Sequence, residues 1–336
     1  MHPMIFGDSM NILVVFTGGT IACSENGGTL SPDNKNSALL LNMYEKLDES
    51  VEFTSIQPYS ILSENLMAEN LVTLYNCIKS YDLSPFDGVI VAHGTDTLQY
   101  TASFLSYTFG FCDTPIVLVS ANYPLMDERS NGFDNFCGAV DFIKSESGKG
   151  VFVSYKNTGE NLKIHRASRL LAHSTYSDDV FSIFDAYYGE ILDGVFVKNE
   201  NYTEFEDETA FTDKVENICS SKVLKINPYV GFIYPKLENM QFKAVLLEGY
   251  HSGTLNTESK ELKEFCVNAQ RLNIPVFLTG ACKGFFYESK LMFDKLKIKV
   301  LSPASPIAMY IKLWLAEKGD FDRIYKSSGG DIFEKI

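Results

Sequence analysis

The chain has 336 residues, 45% of them hydrophobic, enough for one large core or two smaller ones. Its 29 Lys and Arg stand against 43 Asp and Glu, a net charge of −14, which argues against a nucleic-acid or anionic-membrane surface and leaves a small polar substrate or a protein partner. Seven scattered cysteines with no CxxC pair argue against a disulfide framework and against a zinc site. "MHPMIFGDSM" lacks a basic stretch followed by a long apolar one, and no run reaches membrane-spanning length, so the reading is cytoplasmic.

Strand-like runs at Ile12 to Phe16, Val51 to Gln57, Gly88 to Ala92 and Pro115 to Ser120 alternate with helix-like stretches at Ser37 to Leu47, Ala68 to Ser80, Thr97 to Phe109 and Gly132 to Lys144. That alternation predicts an α/β fold with a doubly wound, mostly parallel sheet. A further strand is expected over Gly150 to Ser154, then a hairpin in "EILDGVFVK" turning at Asp193 and Gly194. The polar, acidic stretch after Lys198 reads as a linker. Strands at Val223 to Asn227, Lys243 to Glu248, Ile274 to Thr279 and Ile298 to Ser302, with helices at Thr257 to Leu272 and Ser305 to Lys318, predict a smaller C-terminal α/β domain. The expected boundaries are 10–198, a linker at 199–222, and 223–336.

Ligands of open α/β sheets bind outside the carboxyl ends of the strands, so polar residues directly after apolar runs are the candidates. Two loops qualify: Thr17-Gly18-Gly19-Thr20 and His93-Gly94-Thr95-Asp96-Thr97. The glycines permit a sharp turn that brings amide N–H groups close to a ligand, and Thr20 is then either a fixed nucleophile or a helix cap. Thr95 and Asp96 either face a cleft, positioning a water and holding an ammonium group, or cap the following helix. His93 reads as a structural histidine, since no second ligand sits at metal spacing. Neither GxGxxG nor GxxxxGK[ST] is present.

"TGGTI" at 17–21 followed by "HGTDT" at 93–97 resembles the two active-site signatures of the bacterial asparaginase and glutaminase family. "PLMDERSNGFDN", 124–135, and "HGTDTLQYTASFLSY" are similar to segments of its cytoplasmic, type I branch. The resemblance runs through most of residues 10–145 and returns over 243–315. It implies hydrolysis of a side-chain amide, asparagine to aspartate and ammonia, through an acyl-enzyme on Thr20. Thr95 would position water or relay a proton, Asp96 would grip the substrate α-amino group, and Ser63, with Glu64 beside it, would bind the α-carboxylate. Backbone amides near Gly19, Gly94 and Thr95 would meet the developing oxyanion. No metal or organic cofactor is implied, and the assembly implied is a homodimer or homotetramer acting on a small amino-acid substrate, with no nucleic-acid or membrane partner.

The sequence departs from the family pattern at two places. The family places a tyrosine in a lid about ten residues after the nucleophile; here the lid reads "ACSENGGTLSPDNKN", with Gly27 and Gly28 suited to closure and Thr29 nearest the tyrosine position. The family also places a lysine as base for the second threonine, where this chain has Ala172 and then His173. A threonine without a base loses the roughly 10²- to 10⁴-fold that general-base catalysis supplies. His173 is therefore the substitute base or an incidental loop histidine. Two alternatives follow: a weakened amino-acid-binding or regulatory protein on the same scaffold, or an amidohydrolase for glutamine or another ω-amide. "EGYHSGTLN" offers His251, Ser252 and Thr254 to a second pocket, and "LTGACKG" resembles an effector site of the type I branch, with Ala281 where a cysteine is expected and Cys282 one place on.

Overall fold

The structure, a computed structural model, describes residues 9–333 apart from 20, 22, 27–28, 33, 205, 214, 221, 239–240 and 282–286; of the rest of 23–37, and of residue 217, it describes the backbone alone. In chain order the elements are β1 (Met10–Phe16), β2 (Cys23–Asn26), β3 (Thr29–Pro32), α1 (Asn34–Glu45), β4 (Val51–Ile56), α2 (Ala68–Lys79), β5 (Gly88–Ala92) and α3 (Leu98–Phe109). Then come β6 (Ile116–Val119), α4 (Gly132–Lys144), β7 (Val151–Lys156), β8 (Leu162–Arg166), β9 (Gly189–Leu192) and β10 (Val195–Lys198). The last third holds β11 (Val223–Ile226), β12 (Ala244–Glu248), α5 (Lys260–Arg271), β13 (Val276–Thr279), α6 (Glu288–Lys295), β14 (Ile298–Val300) and α7 (Pro306–Leu315).

Eight strands form the large sheet in the order β10-β9-β8-β7-β6-β5-β1-β4, and β11 to β14 form a separate four-stranded parallel sheet. In the large sheet β4, β1, β5, β6 and β7 are parallel, while β8, β9 and β10 run antiparallel to their neighbours. The mostly parallel, doubly wound sheet with a smaller companion is thus present as the alternation predicts.

Period-two alternation along the buried strands divides the core. Leu13, Val15, Val89 and Val91 face α2 and α3, and Ile12, Val14, Ile90 and Ala92 face the other side with Phe136, Ala139 and Val140 of α4. All eight strand residues are fully buried, so each aliphatic one larger than alanine contributes about 1.5–3 kcal/mol. The α3-side cluster continues into Ala244, Leu246, Phe277 and Met309, so the two sheets share one core. Tyr202, Phe211, Val215 and Ile218, from the acidic stretch between the sheets, are also buried.

Four elements escape the sequence reading: β2 and β3, which pair with each other, β8 and α6. β8 reads "LKIHR", and its fully buried His165 hides the apolar pattern; the imidazole Nδ1 pairs with the Ser182 hydroxyl at 2.8 Å. α6 is eight residues long with only Phe293 buried, too little apolar surface to register as periodicity. Among the described residues no helix is long and apolar enough to cross a membrane.

The strand order puts the site where it is. From β1 the chain moves to β4 on one side, then crosses to β5 on the other, so the direction of winding reverses between β1 and β5. A crevice opens at the carboxyl ends of strands at such a reversal.

Candidate active site

Both glycine-bearing loops leave the sheet at this reversal, and a third segment closes on them. Past β1, the N–H of Gly19 donates to the Ile61 carbonyl at 2.9 Å, and the Ile61 N–H donates to the Thr17 carbonyl at 3.1 Å. Ile61 leads into the short 3-10 turn Ser63–Asn65. Gly18 and Gly19 have φ of 99° and 78°, where a side chain is strained. The Gly94 backbone meets the Ser63 side chain: a β-carbon on Gly94 would lie 2.5 Å from the Ser63 β-carbon. The paired glycines after β1 and the single one after β5 are what close approach of three backbone segments requires.

This packing sets the polar side chains. The Ser63 hydroxyl, buried, donates to the exposed Asp96 carboxylate at 3.4 Å, and the Thr97 hydroxyl donates to the Ser63 carbonyl at 2.8 Å. The Thr95 hydroxyl donates to the Ala121 carbonyl at 2.8 Å, just past β6. Neither Thr95 nor Asp96 caps α3 with its side chain; the cap residue is Thr97, and the Leu98 N–H goes to the Thr95 carbonyl instead. The capping alternative for this loop is thereby removed, and among the described residues no side chain donates to the Thr95 hydroxyl oxygen. His93 is buried beneath, its Nδ1 2.7 Å from the Gly94 carbonyl and its Nε2 2.8 Å from the Thr101 hydroxyl. Burial lowers its pKa to about 4, so it holds the loop as a neutral ring.

Thr95 and Asp96 line a cavity of about 380 Å³ with Asn122, His173, Ser174, Thr175, Tyr176, Ser177 and Asp178. His173 is half-buried beside the backbone of Asp179 and Thr95. Burial lowers its pKa below the ordinary histidine value, more than those backbone groups and the nearby carboxylates raise it, so the ring is neutral at pH 7. The Thr95 hydroxyl itself donates to the Ala121 carbonyl. Among the described residues no lysine lines the cavity: Lys163, on β8, pairs with Glu160 at 2.8 Å and covers the Tyr187 ring.

Thr20, the candidate nucleophile, lies outside the described residues, as do Gly27, Gly28 and Cys282. Glu64 is exposed and is absent from the cavity wall. His251, Ser252 and Thr254 lie on a turn after β12 in the smaller sheet, where the Tyr250 N–H donates to the Thr254 carbonyl at 2.9 Å. Asn122 and the 174–178 segment went unread in the sequence. Asn122 follows β6 directly, so the strand-end rule was sufficient to find it; its side-chain oxygen accepts the Asn131 N–H at 3.0 Å. Residues 174–178 carry no periodic signal. A larger hollow, about 710 Å³, lies between α1 and the start of β4, at the amino ends of the strands and among Glu45, Glu49 and Glu52. Its position is the wrong one for ligand binding in a parallel sheet.

The family model described as Asparaginase, N-terminal, matches residues 11–202. Among curated proteins, a glutamyl-tRNA(Gln) amidotransferase subunit of Saccharolobus solfataricus is 26% identical over 273 residues, covering 76% of this chain and 59% of that protein. The same amidotransferase component of Pyrococcus abyssi is 26% identical over 294 residues, covering 80% and 65%. The chain therefore spans about three fifths of the length of these relatives. Among solved structures, the thermostable L-asparaginase from Thermococcus kodakarensis superposes with a TM-score of 0.74 at 20% identity, over 94% of both chains. The probable cytoplasmic L-asparaginase from Campylobacter jejuni gives 0.71 at 23%, over 94% of this chain and 96% of that one. At these identities the structural likeness establishes the shared fold.

Proposed function

Because this chain belongs to the asparaginase family, we propose that it hydrolyses the side-chain amide of L-asparagine to aspartate and ammonia. One observation carries the reading: the Gly19 and Gly94 backbones meet at the winding reversal with Ser63 packed on Gly94, and Ser63, Thr95 and Asp96 gather there with His173 on the same cavity wall as Thr95. A rigid, polar strand-end crevice of this kind suits an amino acid held by both its charged groups.

In this reading Asp96 takes the α-ammonium group and Ser63 turns its hydroxyl to the α-carboxylate. The Thr20 hydroxyl attacks the amide carbon, its proton passes to the departing nitrogen, and ammonia leaves an ester on Thr20. A water ordered by Thr95 then attacks the ester carbon; His173 accepts the water's proton and passes it to the Thr20 oxygen as aspartate leaves. The Gly19 N–H is held by the Ile61 carbonyl, so the oxyanion in both halves falls to backbone N–H groups at Gly94 and Thr95. The reading includes a site-bearing unit at 10–198, a connector at 199–222, a smaller unit at 223–336, and a cytoplasmic homo-oligomer.

The test is ammonia release from L-asparagine and L-glutamine between pH 6 and 9, beside Thr20→Ala. Release from asparagine that the variant abolishes is the expected result, and release that persists in it removes the threonine mechanism. A second reading rests on the curated relatives, which are subunits of an amidotransferase named for glutamyl-tRNA(Gln). Under it the amide is glutamine and the ammonia passes to a second protein. Preference for glutamine in direct competition would favour it. Ligand-induced stabilisation without release from either amide would mark the binding-protein alternative.

A further inference from the structure

We propose that the β10 edge of the large sheet is a self-pairing surface, joining two copies of this chain through antiparallel β10–β10 contact centred on Phe196. This goes beyond the catalytic reading and does not depend on it.

β10 is the outermost strand at one end of the sheet. Its hairpin with β9 turns through Asp193 (φ 50°) and Gly194 (φ 77°), the two left-handed residues of a type I′ turn. In such a hairpin the residues flanking the turn, Leu192 and Val195, exchange both hydrogen bonds, and the pattern then alternates. The bond from the Asn199 N–H to the Tyr188 carbonyl, 3.0 Å, sits where that alternation requires. Val195 and Val197 therefore direct their N–H and C=O groups inward to β9. Phe196 directs its own outward, to the open edge.

The side chains divide the other way. Phe196 packs against Phe142, with ring centroids 5.0 Å apart, so that face is covered by α4. Val195 and Val197 stand on the opposite face, 62% and 47% exposed, with Leu192 across from Val195 and 38% exposed. Edges of sheets are normally blunted by charge, proline or a bulge. At the other end of this sheet β4 exposes Glu52, Thr54 and Ser55, whereas β10 presents Val-Phe-Val with its first charge at Lys198.

A two-fold axis needs a surface complementary to itself. Antiparallel pairing with Phe196 opposite Phe196 of a second copy meets this on two counts. Phe196 is the residue with outward backbone groups, so the central pair exchanges reciprocal hydrogen bonds. Val195 falls opposite the second copy's Val197 and the reverse, so the exposed valines bury one another on one face. Lys198 at the end of the strand is already paired with Glu204 and brings no unpaired charge to the edge. Shifting the register by one residue would place α4-side and open-side residues on the same face, and it loses both.

The register makes a charge test possible. Val195→Lys with Val197→Lys sets like charges opposite each other at both flanking pairs, while Val195→Lys with Val197→Glu sets opposite charges there. Both positions are exposed, so neither double variant disturbs the core, and far-UV circular dichroism melts check that both fold. Assembly mass is read by sedimentation at roughly 1–100 µM chain, the range in which small interfaces associate. The expected result is that the Lys/Lys variant has half the assembly mass of the wild-type chain and the Lys/Glu variant keeps it. Hydrogen exchange at the Phe196 amide should be slowed in the wild-type chain and fast in the Lys/Lys variant. A wild-type chain that stays monomeric throughout, equal mass in all three proteins, or loss of assembly in both variants overturns the proposal.

Discussion

The point where a β-carbon on Gly19 would stand lies 2.3 Å from both the Cα and the nitrogen of Gly94, residues at the ends of neighbouring parallel strands. No side chain fits between them, so the two loops form one rigid floor. Gly94→Ala forces its new methyl into Ser63, and the expected cost is about 1–3 kcal/mol of stability with at least about tenfold loss of kcat/KM. Gly159→Ala is the control for backbone strain, which Gly94 lacks: its φ of 75° disfavours a side chain, but nothing lies within 4 Å. It should lower the melting temperature and leave kcat/KM unchanged. Equal activity losses in both variants would show that general destabilisation, and not the crowding at Ser63, governs the rate.

Asp96 and Ser63 are 33 residues apart in sequence and share a hydrogen bond at the cavity edge. If Asp96 holds the substrate ammonium group, Asp96→Asn loses a charge-assisted bond of about 1.5–3 kcal/mol, roughly a 10- to 100-fold rise in KM. Ser63→Ala should raise KM less, since a neutral donor is removed. Steady-state kinetics with L-asparagine decide it. A fall in kcat at constant KM for Asp96→Asn would assign the carboxylate to the reacting bond instead.

His173 makes a prediction in pH. Its folded pKa lies below the ordinary value of about 6.5, so at pH 7 the ring is neutral and able to take a proton. As the base of deacylation it would give the rate an acid limb centred below the ordinary histidine value, the rate falling as the pH drops through the lowered pKa. His173→Ala should cost about 10²- to 10⁴-fold in kcat and remove that acid limb. His173→Gln, able to donate to the same backbone groups, should keep the fold and not restore the rate. A pH–rate profile unchanged by both substitutions would make the ring a packing element of its loop.

What the sequence discloses about this site follows from how local each signal is. Gly18, Gly19 and Gly94 stand directly after buried apolar runs, and strand ends are legible one loop at a time. The contact of Gly94 with Ser63 depends instead on β4 and β5 flanking β1, a long-range fact with no local trace. The same holds for His173, which shares a cavity wall with Thr95 from a segment with no periodicity, and for Asn122, which lies on that wall too. His165 shows the opposite failure: a buried polar residue inside a strand looks like a loop because its partner, Ser182, is 17 residues away.

The end of the described chain offers the last prediction. Lys312 on α7 and Asp331 pair at 2.6 Å with both side chains fully buried, and the Tyr107 hydroxyl of α3 donates to the same carboxylate at 2.9 Å. The Ser328 N–H reaches its other oxygen at 3.0 Å, and Lys312 also donates to the Lys326 carbonyl at 2.5 Å. Segment 327–331 is thereby fastened against α3 and α7, with the Ser168 hydroxyl donating to the Gly329 carbonyl at 2.6 Å from the β8 side. Asp331→Asn leaves a buried cation without its counter-charge and should cost about 3–5 kcal/mol. Lys312→Met alone should cost a similar amount, but the double variant removes both charges together and should cost clearly less than the sum. Urea unfolding of the four proteins measures the coupling. Strictly additive losses would show that the segment is held by its backbone bonds and apolar contacts, with the ion pair adding nothing to them.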